Sequence, residues 1–197
     1  VAAGSCSAAV RIELRDAFGN PTADAGAATP LDLTGAPAFG FELFEDPACA
    51  VPVPGAAVEI AAGAVGKDFW FKGTVASAVT VTSAPSGLVP ASQVETIAPG
   101  APARLVFTTA AQTVPAGVCS AAATIEARDA YDNVAPVVAL TTVSLSAAPP
   151  AGFQLFGAAG CGGAPVASVD LPAGASSAAF WFRGTVTGSV TITAAGA

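Results

Sequence analysis

The chain has 197 residues, enough for one large domain or two ordinary ones. It is 53% hydrophobic but only 11% charged and 7% aromatic, with a formal net charge of −7 and no histidine. Two lysines and five arginines give no basic face to neutralise phosphates, which argues against nucleic acid, and the same deficit disfavours an anionic membrane surface. Alanine supplies much of the apolar count, and alanine favours helix. Yet 21 glycines and 16 prolines interrupt the chain too often for helices with a 3.6-residue stripe. Residues 133–169 carry no charge, but prolines at 136, 149, 150 and 165 keep that stretch from spanning a bilayer as a helix. The start of the chain has none of the marks of a secretory signal, so for an exported protein that signal is expected to have been removed or to lie outside these residues.

In chain order the first element is a strand. Val10, Ile12 and Leu14 alternate with Arg11, Glu13 and Arg15, a period of two that puts apolar side chains on one face and charges on the other. Glu13 then sits between two arginines in screened surface pairs. Strands are also expected around Val58 and Ile60, and from the alternation of Val79 and Val81 with Thr80 and Thr82. Two more are expected near 91–97 and 103–109, separated by the turn Pro99-Gly100-Ala101-Pro102. Beyond that turn the pattern starts again.

The repeat is explicit. GSCSAAVRIELRDAFGN (4–20) returns as GVCSAAATIEARDAYDN (117–133), PAFGFELF (37–44) as PPAGFQLF (149–156), and KDFWFKGTVASAVTVTSA (67–84) as AAFWFRGTVTGSVTITAA (178–195). Order is kept while the offset drifts only from 113 to 111. Two like units, 1–99 and 100–197, are therefore expected. Many short alternating strands with regular turn signals indicate an all-β fold, an antiparallel sandwich or barrel. The first copy begins at its cysteine without an opening strand like 103–109, and the second stops without a closing strand like 91–97. Two readings stay open: a stretch of a longer array, or a subunit that takes the strands from neighbouring chains, which exposed sheet edges favour.

The four cysteines allow three pairings. If both copies fold alike, the pairs are internal: Cys6 with Cys49 and Cys119 with Cys161. Neither a CxxC spacing nor a histidine accompanies them, which speaks against zinc, and paired cysteines imply an oxidising compartment, secreted or cell-surface.

Catalytic candidates are scarce. Without histidine the commonest general base is missing, and the acids are scattered, so no enzyme activity and no cofactor are expected. Asp16, Asn20, Asp129, Asp132 and Asn133 sit in the loop after the first strand of each copy. Oxygen ligands suit calcium, but two or three per loop fit better as turn residues that bond their own backbone. The triplets Phe69-Trp70-Phe71 and Phe180-Trp181-Phe182 are the strongest ligand candidates. On a strand each Trp faces away from its Phe neighbours, so Trp70 and Trp181 either stack on a sugar or partner, or are buried with most of the triplet. Phe41, Phe44, Phe153 and Phe156 are expected in the core or shielding the disulfides.

The segment RIELRDAFGNP (11–21) resembles the bacterial immunoglobulin-like repeats of the invasin/intimin type, whose alternating strand ends in an Asp-x-x-Gly-Asn-Pro turn. The second copy departs from that pattern, with Asp132 and Val134 in place of Gly and Pro, and the cysteine pair is not typical of those adhesins. With its cysteines the chain looks more like tandem repeats in very large secreted proteins of high-GC bacteria. The resemblance implies two tandem immunoglobulin-like β-sandwich domains in a non-catalytic stalk or fibre. It implies neighbouring repeats or identical subunits as partners, with an adhesive contact to a surface glycan or protein, no nucleic acid and no membrane insertion. The alternatives are a filament subunit joined by inter-chain strand complementation, and a glycan-binding module using Trp70 and Trp181.

Overall fold

The computed structural model describes residues 1–24 and 26–196; Ala25 and Ala197, the last residue of the second expected unit, lie outside them. The chain divides into two compact units, Val1–Gly100 and Ala101–Ala197. The protein is all-β, and every pair of strands is antiparallel.

Unit 1 contains β1 (Val10–Glu13), β2 (Thr29–Ala36), β3 (Phe41–Phe44), β4 (Ala57–Ile60), β5 (Gly66–Gly73), β6 (Ser77–Ser83) and β7 (Ala91–Ile97). They form two sheets, in the orders β1-β5-β3 and β4-β2-β6-β7. Alternation aims one face of each sheet at the other. Leu31, Leu33, Val58, Ile60 and Val81 from one sheet bury against Phe69 of the other, with Val10, Ile12 and Leu43 packed beside them. A second cluster joins Phe71, Val79, Ile97 and Ala3. Ala3 comes in because the first residues run along the end of β7: the Ala3 N–H donates to Ala98 O and the Ala98 N–H to Val1 O, both at 2.8 Å.

Unit 2 contains β8 (Arg104–Phe107), β9 (Ala123–Arg128), β10 (Thr141–Ala148), β11 (Phe153–Phe156), β12 (Ser168–Leu171), β13 (Ser177–Gly184) and β14 (Thr191–Gly196). The sheet orders are β11-β13-β9-β8 and β12-β10-β14. Its core takes Ile125, Val143, Leu145, Leu155, Leu171 and Phe180 from both sheets. The same sandwich is thus built twice, with one exchange. Unit 1 carries an extra strand, β7, beside β6; unit 2 carries an extra strand, β8, beside β9. The strands expected at 91–97 and 103–109 close the one unit and open the other. Both units also place a cis proline before the third strand of the common set, Ala36-Pro37 and Ala148-Pro149.

Candidate functional site

Each unit is closed by one disulfide, Cys6–Cys49 and Cys119–Cys161, with Cα atoms 5.7 Å apart in both. The serine after the first cysteine fixes that segment to the aromatic strand. The Ser7 hydroxyl accepts the Phe71 N–H at 2.9 Å, and the Ser120 hydroxyl accepts the Phe182 N–H at 2.9 Å. Each serine N–H in turn donates to the same residue's carbonyl, Phe71 or Phe182. Sequence reasoning missed this role; its signal was the Cys-Ser pair standing in both copies. It also missed Asp46. That carboxylate accepts the N–H groups of Ala48, Ala50 and Val51 and so shapes the loop carrying Cys49. Those bonds, Val51 first, hold its carboxyl below the ordinary value. An Asp-Pro pair three residues before a cysteine was the available cue.

The Asp/Asn loops are turns. Asp16 Oδ1 accepts the N–H groups of Phe18 and Asn20, and Oδ2 accepts the Asn20 side-chain amide at 3.0 Å. In unit 2 Asp129 does the same with Tyr131 and Asn133. The Asn20 amide, first among the donors, holds the Asp16 carboxyl below its usual range. Asp132 stands where unit 1 has Gly19, and both adopt positive φ, 74° and 83°. The Asp132 side chain answers Arg104 and Arg128 at 2.6 and 3.1 Å, Arg104 being the larger cause of its lowered pKa. The five loop residues thus spend their oxygens on backbone and arginine. Among the described residues no three acids or cysteines converge as a metal site.

Phe69, Phe71 and Phe180 are buried in the sandwich, while Trp70 and Trp181 are half-buried on the opposite face of their strands. The register sets Trp70 across from Phe44 and Trp181 across from Phe156. Both phenylalanines are buried although they share the outward face, in keeping with the expected shielding of the disulfides. Arg183 lies 5.2 Å above the Phe156 ring. Phe41 and Phe153 point inward and stack on Phe71 and Phe182. Phe182 departs from its counterpart: Phe71 is buried and Phe182 only half so, since unit 1 has β7 on that side.

Two grooves mark the places where the units differ. In unit 1 a groove of about 340 Å³ runs between β1 and the β6–β7 side, lined by Ile12, Leu33, Phe69, Val81 and Ser83. The Ser83 hydroxyl is buried there with no hydrogen-bond partner in the structure. In unit 2 a groove of about 770 Å³ lies beside β14, lined by Phe153, Phe182, Gly184, Val186, Val190 and Ile192. Neither groove is lined by a tryptophan or by a cluster of acids.

No family model matches the chain, the invasin/intimin type included, and no curated protein matches it. Among solved structures it is similar to the S-layer protein SbsC, at 15% identity and a TM-score of 0.35, covering 94% of this chain and 21% of that one. It is also similar to a beta-glycosidase from Bacteroides vulgatus, at 14% identity and a TM-score of 0.38, covering 95% of this chain and 23% of that one. A glycosyl hydrolase family 2 member from Bacteroides cellulosilyticus gives 12% identity and a TM-score of 0.37, covering 90% and 22%. The chain therefore spans between a fifth and a quarter of the length of these proteins. Likeness at this level bears on neither activity nor partner.

Proposed function

We propose that the chain is a non-catalytic structural module of an extracellular protein, two immunoglobulin-like units of a repeat array whose role is extension and contact with neighbouring repeats. The observation that carries this reading is the disulfide set at one position in both units. Each closes a loop of about 43 residues, and the loop-entropy estimate for such a closure is about 4 kcal/mol. That is a large share of a small domain's stability, and it suits a compartment where thiols stay oxidised. Alanine-rich faces bury little area per residue, so a staple in every unit compensates for a lean core. The resemblance of residues 11–21 to invasin/intimin repeats supports the same role.

The test is fractionation of the producing cells with surface labelling. The protein is expected in the surface or secreted fraction, with no free thiol. A cytoplasmic protein with four reduced cysteines would overturn the proposal.

A further inference from the structure

We infer that the groove beside β14 in unit 2 is a strand-acceptor site, and that its occupant is an extended segment of the β7 type presented by another polypeptide. Unit 1 shows how the occupied site is built. There β7 pairs with β6 along its whole length, from Ser77↔Ile97 to Ser83↔Ala91. Ile97 drops over Gly73, where a Cβ would collide with the Ile97 side chain, and joins Phe71, Val79 and Ala3 in a buried cluster.

Every one of these positions has a counterpart in unit 2: Gly184 for Gly73, Phe182 for Phe71, Val190 for Val79, Ile192 for Val81 and Ala116 for Ala3. The unit 1 members are buried; the unit 2 members are half-buried or exposed, and they line the groove or lie against it. A Cβ on Gly184 would meet only Phe153, at an ordinary 3.5 Å. The glycine thus leaves a hollow of the kind Ile97 fills in unit 1. The backbone tells the same story. Ser77–Val79 are strand only through β7, since β2 pairs no further than Thr80. Their counterparts, Gly188–Val190, are not strand. The outer edge of β14 pairs with no described strand, and such an edge is a template for strand addition. The chemistry that fits is specific: four or more residues in β conformation, antiparallel to β14, ending in an isoleucine-like side chain over Gly184. Within these residues the one segment of that pattern, β7, is already held in unit 1. The proposal therefore commits to a strand supplied in trans.

This rests on the structural-module reading. It is tested apart from it, because cell-surface location is untouched by the outcome below. A synthetic peptide spanning residues 88–100 is titrated into the intact chain while amide exchange is followed. Saturable binding is expected, with exchange slowed across Thr191–Gly196 and with at least tenfold weaker binding for a peptide carrying Ile97→Asp. Because the substitutions sit in the peptide, folding of the protein is not at issue. Absence of binding, equal binding of the Ile97→Asp peptide, or protection appearing on β1 or β6 in place of β14 would overturn the proposal. So would a naturally longer polypeptide whose own following residues protect β14 and exclude the peptide.

Discussion

Ile97 lies directly over Gly73, in the space that a Cβ at position 73 would claim. The pair is the point where β7 is locked onto the rest of unit 1. Gly73→Ala is therefore expected to force Ile97 aside and cost about 1–3 kcal/mol, the usual range for overpacking a filled core. Gly184→Ala, at the matching place in unit 2, meets only a van der Waals contact and is expected to lie within about 1 kcal/mol of the parent. Urea titrations of both variants check the asymmetry. Equal losses would mean that the two positions share one environment.

Ser120 is buried and its hydroxyl is the acceptor for the Phe182 N–H. Ser120→Ala leaves that backbone donor without its partner, at an expected cost of about 1–3 kcal/mol. Ser7→Ala, on a less buried residue of unit 1, is expected to cost less because water can reach the freed N–H. Chemical denaturation of the two variants side by side gives the comparison.

Acid should weaken both units. Asp16, Asp46 and Asp132 each have a carboxyl lowered from an ordinary value of 3.8, through the Asn20 amide, the Val51 N–H and the Arg104 guanidinium respectively. A carboxyl lowered on folding contributes its stability in full above the unfolded value and loses it as pH falls through the folded one. The melting temperature is therefore expected to be flat from neutrality to about pH 5 and to fall below about pH 4. Asp46→Asn should flatten part of that acid limb, as read by thermal melts across the range. An unchanged limb would remove Asp46 from the account.

Much of this fold was readable from the residues, for a physical reason. Period-two alternation is a direct print of a sheet with one buried face, and Ile125 between Thr124 and Glu126 shows it at its clearest. The repeat then carried each inference from one copy to the other. What stayed hidden was context. β2 was obscured by Pro30 and Gly35, because local propensity ranks both residues against a strand and only the pairing with β4 and β6 overrides it. The half-exposure of Phe182 was equally invisible: its local sequence matches that of Phe71, and the difference lies in a strand more than twenty residues from Phe71 in the chain. Of the candidate site residues, the Asp/Asn loops resolved into turns, while the grooves left no mark in any single segment.

Reduction bears on the staples. With both disulfides opened by a thiol reductant, each unit is expected to lose up to about 4 kcal/mol, so denaturation midpoints should drop well below those of the oxidised chain. A midpoint indifferent to reductant would show that the cross-links add nothing to the native state.

The central claim is that one sulfur-linked β unit is present twice, and peptide mapping under non-reducing conditions tests it most directly. The expected fragments join Cys6 to Cys49 and Cys119 to Cys161, and no others. A fragment joining Cys6 to Cys119, or Cys49 to Cys161, would contradict it.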